Sequence, residues 1–104
     1  MRIEVLSVPG CPHHAAALAR VRQALASLAL VAQIEERWVV SGEEARVLAF
    51  TGSPTVRIDG RDVEPASTPP SLACRLYAGG EGVPALANLR AALAEAAAAR
   101  RERS

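Results

Sequence analysis

A chain of 104 residues, half of them apolar, has the length of one domain, enough to bury one core and too little for two. Its net charge is +1, all 12 basic residues are arginine, aromatics make up 3%, and the charges are interspersed, so there is no basic stripe to grip nucleic acid. The N-terminus reaches Pro9-Gly10 without the apolar core of a signal peptide and no apolar run is long enough for a bilayer, so a cytoplasmic domain with neither a membrane nor a nucleic-acid partner is expected. In a reducing compartment two cysteines suit redox chemistry, metal binding or simple burial better than a permanent disulfide.

Arg2 to Val8, with Ile3, Val5, Leu6 and Val8, reads as a buried strand stopped by Pro9-Gly10. From Pro12 the apolar residues Leu18, Val21, Leu25 and Leu28 recur at helical spacing, predicting a helix of about five turns. Val31 to Val40 returns to extended character, with Ala32, Ile34, Trp38 and Val40 on one side, and the strand-helix-strand order predicts a parallel pair. Ser41 to Glu44 has the spacing of a capping box and opens a short helix with Val47, Leu48 and Phe50 as its apolar contacts. PTVRIDGRDVE, residues 54–64, is two β runs joined by Asp59-Gly60, a hairpin signal. Residues 65–83 form a long Pro-, Gly- and Ser-rich loop holding one compact piece, SLACRLY. Pro84 opens a last helix with Leu86, Leu89 and Leu93 on one stripe, and residues 100–104 are expected to fray.

The predicted order is β-α-β-α-β-β-α, an α/β fold with a four-stranded mixed sheet flanked by helices. Three features make the chain resemble small bacterial thioredoxin-like or glutaredoxin-like proteins: Gly10-Cys11-Pro12-His13-His14 between a strand and a long helix, Gly52-Ser53-Pro54-Thr55 opening the hairpin, and the hairpin's place before a terminal helix. GSPTVRIDGRDVEP and SLACRLY are also similar to a bacterial group variously labelled thioredoxin family or alkylmercury-lyase-like. The resemblance covers residues 2–64 and the last helix. It implies a cis Ser53-Pro54 bond facing the active cysteine, and a groove in which Pro12, His13, Ser53, Pro54 and Thr55 dock substrate. The chain departs from the family where C-x-x-C would stand: it reads Cys-Pro-His-His, with no resolving cysteine in the usual place.

At a helix start, backbone N–H groups and the macrodipole favour a thiolate, so Cys11 is the candidate nucleophile, with burial of a small residue in a turn as its alternative. His14 stands where the second cysteine of the parent motif would be, one turn past Cys11, as a base, hydrogen-bond partner or ligand. The hairpin topology returns the 65–83 loop to the edge where Cys11 lies, so Cys74 is the candidate resolving thiol and Arg75 beside it a candidate electrostatic aid. Alternatively, Leu72, Cys74 and Leu76 pack the loop on the core.

The expected activity is thiol-disulfide exchange with protein or small-molecule thiols and disulfides, without a cofactor. Glutathione is an alternative to Cys74 for resolving the mixed disulfide. The rival readings are a metal or organomercurial site using Cys11, His13, His14 and Cys74, and a non-catalytic module that binds a partner beside Pro54.

Overall fold

The structure, a computed structural model, describes residues 1–66 and 68–103, so Ser67 of the long loop and Ser104 of the expected frayed tail lie outside it. Its elements are β1 (Arg2–Ser7), α1 (His14–Ser27), β2 (Gln33–Trp38), α2 (Gly42–Val47), β3 (Thr55–Ile58), β4 (Arg61–Asp62) and α3 (Leu86–Arg103). The strands form one sheet in the order β2-β1-β3-β4, with β1 and β2 parallel and the other pairs antiparallel. The chain is thus an α/β domain with a four-stranded mixed sheet, as its pattern predicts.

Alternation along the strands decides which helix covers which face. Ile3, Val5, Val56 and Ile58 point to one side, where they pack with Ala17, Val21, Ala24 and Leu25 of α1 and Leu89 and Leu93 of α3. Leu6 points to the other side and meets Val39, Ala45 and Phe50 in a smaller cluster under α2. The β3-β4 turn is tight because Asp59 and Gly60 both take positive φ, 48° and 84°. Ser41 caps α2 as its motif predicts, its Oγ accepting from Glu44 N–H at 3.1 Å. At the other end of α2, Arg57 donates to the carbonyls of Leu48 and Ala49, the charge and donor that a helix C-terminus favours.

The structure differs from the reading of the sequence in bounds and in packing. Helix α1 starts at His14, two residues after Pro12, because a turn intervenes. Strand β2 is six residues long, and Val31 and Val40 beyond it are exposed rather than packed. Val47 is 80% exposed, so α2 contacts the core through Ala45, with Phe50 just beyond the helix. Helix α3 runs through Arg103; the alanine-rich run favours helix, and Arg100 lies 3.7 Å from Asp59 of the hairpin turn. Among the described residues, no helix is long and apolar enough to cross a membrane.

Candidate functional site

Two successive turns place Cys11 where β1 hands over to α1. In the first, Cys11 N–H donates to Val8 O at 3.1 Å, with Pro9 and Gly10 between them and Gly10 at φ 79°. Proline at the second position and a positive-φ glycine at the third are the requirements of a type II turn. In the second, His14 N–H reaches Cys11 O at 3.4 Å across Pro12 and His13. Cys11 is therefore the shared corner of two turns, half-buried, and stands ahead of the helix rather than on it. His13 is the residue that caps α1, without a side-chain hydrogen bond, and its ring lies against Gly82, where a Cβ would come within 2.7 Å of it. Pro12 is exposed.

His14 turns inward. Its Nδ1 lies 2.6 Å from Ser7 Oγ at the end of β1, its Nε2 lies 2.8 Å from Glu36 Oε1 on β2, and the Trp38 ring is tilted over it at 4.4 Å. Both ring nitrogens are thus committed to partners other than Cys11, and the residue joins the first turn of α1 to the β1-β2 edge. Sequence position predicts its closeness to Cys11 but carries no sign of Ser7 and Glu36, which reach it from separate strands.

Ser53, Pro54 and Thr55 are buried, and the Ser53-Pro54 peptide bond is cis, as the resemblance implied. Ser53 Oγ accepts from Val8 N–H at 3.0 Å, tying this segment to the turn that carries Cys11. Thr55 Oγ donates to Gly52 O at 2.6 Å. The backbone of Ser53 is filled by the chain itself: its N–H donates to Ala73 O at 2.9 Å and its carbonyl accepts from Arg75 N–H at 3.0 Å, a parallel bridge in which Ser53 faces Cys74. Cys74 is exposed and, like Cys11, a free thiol.

Alternation in this extended segment runs against its polarity. Arg75 and Tyr77 point in, at 7% and 4% exposure, while Leu72, Cys74 and Leu76 point out. Packing of the two leucines on the core is therefore not observed. Arg75 donates to both carboxylate oxygens of Asp62 at 2.7 and 3.1 Å and to Glu64 O, and its guanidinium sits 4.5 Å over the Tyr77 ring. Burial opposes its charge, but the Asp62 contacts outweigh that and hold the guanidinium protonated above its ordinary range. Tyr77 in turn donates to Pro54 O at 2.5 Å, and burial raises its phenol above the usual tyrosine value. Arg75 is thus the latch of the segment, engaged away from the Cys74 thiol. Sequence reasoning missed this role because the partners Asp62 and Glu64 become neighbours only when the loop folds back on the hairpin.

Among the described residues, no group of three His, Cys, Asp or Glu side chains is placed to hold a metal ion, so Cys11, His13, His14 and Cys74 are not gathered into one ligand set. A cleft of about 750 Å³ lies between the hairpin and α3, lined by Ile58, Asp59, Val63, Ala92, Glu95 and Ala96 among others. Asp59 N–H bonds Arg2 O at the start of β1, which puts this cleft at the end of the sheet away from Cys11. Comparison with family models, curated proteins and solved structures found no match to this chain.

Proposed function

We propose that the chain is a thioredoxin-like domain that carries out thiol-disulfide exchange, with Cys11 as nucleophile and Cys74 as the second thiol. The strand order β2-β1-β3-β4, with α1 and α3 on one face and α2 on the other, supports the fold part of this reading. The observation that carries the functional part is a short run of hydrogen bonds: Cys11 to Val8, Val8 to Ser53, and Ser53 to the residues on either side of Cys74. It ties the turn that carries the half-buried Cys11 to the segment that carries the exposed Cys74, 63 positions on in sequence (74 less 11).

In this reading the Cys11 thiolate attacks one sulfur of a disulfide R–S–S–R. A bond forms between Cys11 Sγ and that sulfur, the original S–S bond breaks, and the departing thiolate takes a proton from water. Cys74 then attacks Cys11 Sγ, closing an intramolecular disulfide and releasing the second thiol; the protein loses two thiols and the substrate gains two. His14 serves as a positioning residue, holding the start of α1 against β1 and β2, while Pro12 and His13 form the exposed lip beside Cys11. Two free thiols suit a reducing compartment such as the cytoplasm.

Trapping tests this division of labour. With a small symmetrical disulfide, Cys74→Ala is expected to accumulate a stable mixed disulfide on Cys11, Cys11→Ala to form far less adduct, and the wild type to release two equivalents of thiol. Equal adduct formation on both cysteines in the wild type, without release of the second equivalent, would leave a non-catalytic binding module as the better account.

A further inference from the structure

We propose that Cys11 acts on low-molecular-weight disulfides, and that the segment around Cys74 denies an extended peptide the backbone pairing that would favour it over them. This rests on the reading of Cys11 as an exchanging thiol and adds its substrate class. An extended peptide docks beside a reactive group by pairing with unsatisfied backbone N–H and C=O groups, adding itself as a strand. Beside the turn that carries Cys11, the backbone placed for this is that of Ser53, and both its groups are already bonded to Ala73 and Arg75.

The segment that fills this edge is fastened at several points. Ser71 N–H bonds Phe50 O at 2.9 Å on one side, and Ala78 N–H bonds Glu64 Oε1 at 2.8 Å on the other. Between them lie the buried Arg75-Asp62 pair and the Tyr77 hydroxyl on Pro54 O. The fit is flush: a Cβ on Gly52 would stand 2.8 Å from Arg75 Cβ. A peptide would have to displace all of this to pair with Ser53. A small disulfide needs only an approach to Cys11, which is half-buried beside the exposed Pro12.

The test compares two compounds bearing the same mercaptoethanol mixed disulfide: an extended peptide with a central cysteine, and N-acetylcysteine amide. The readout is the rate at which each consumes Cys11, in a Cys74→Ser background that stops the reaction at the mixed disulfide. The expected peptide-to-amide rate ratio is within about twofold of unity, rising about tenfold in Arg75→Ala, where a released edge offers two backbone hydrogen bonds. Tyr77→Phe, which removes one fastening and keeps the ring, supplies a milder variant expected to shift the ratio in the same direction if Arg75→Ala does not fold. A tenfold peptide preference without either substitution would overturn the proposal, as would an unchanged ratio in a folded variant shown by hydrogen exchange to have released the segment. Failure of Cys11 to react with either compound is a different result: it removes the exchange reading itself, and the substrate class with it.

Discussion

Arg75 sits inside a segment whose leucines face outward, and what it touches explains the inversion. A guanidinium that meets both oxygens of Asp62, a carbonyl and an aromatic face is satisfied where Leu72 or Leu76 would leave Asp62 unpaired. Arg75→Ala is therefore expected to cost about 2–4 kcal/mol, read as a lower denaturant midpoint, with Arg75→Lys recovering little because it cannot reproduce the fork. Gly52 is coupled to the same contact. It has φ 136° and no room for a Cβ, so Gly52→Ala is expected to cost about 1–3 kcal/mol, and a stability equal to wild type would show that the Cys74 segment is not seated against it.

Tyr77 gives this packing a pH signature, and it is the only tyrosine in the chain. Burial holds its phenol protonated above the ordinary value of about 10, whereas in the unfolded chain it ionises near that value. The unfolded state therefore releases its proton first. The contribution is fully present below about pH 10 and is lost progressively as pH rises toward the folded value. Tyrosinate absorbance of the folded protein should stay low through that range and rise only as the protein unfolds. A reversible titration near 10 in folded protein would contradict the buried hydroxyl on Pro54.

At the scale of elements, the signals that worked were those with a local mechanism. Ser41 and Glu44 predict the cap of α2, and Asp59-Gly60 predicts a turn that needs two positive φ values. Ser41→Ala should lower stability by about 1 kcal/mol through loss of the bond to Glu44 N–H, whereas Ser41→Asp should retain most of it. Where the signal depends on distant partners, the sequence is silent. Periodicity predicts α1 from Pro12, but the turn across Cys11 and His14 delays the helix to His14. His14 reads as a partner of Cys11 one turn away until Ser7 and Glu36 arrive from two strands and take both its ring nitrogens. The SLACRLY piece misleads in the same way, since its inner face is decided by Asp62 and Glu64 of the hairpin and not by its own hydrophobicity.

For the whole molecule, topology links the turn that carries Cys11 to the segment that carries Cys74. Strand β1 ends at the Cys11 turns, Ser53 just ahead of β3 is bonded to Val8 in the first of them, and β3-β4 sends the chain out and back so that the following loop can pair with Ser53 at Cys74. This logic is legible from the order of elements; the fastening of the loop is not, because it depends on side chains from three separate stretches. The most direct measurement is peptide mapping by mass spectrometry of protein oxidised with a small disulfide at low concentration, then reduced with dithiothreitol, with free thiols alkylated at each stage. A Cys11–Cys74 bond within one chain is expected, formed in most molecules and fully reversed on reduction. Two thiols that both remain open to alkylation after oxidation, or that link only different chains, would contradict it.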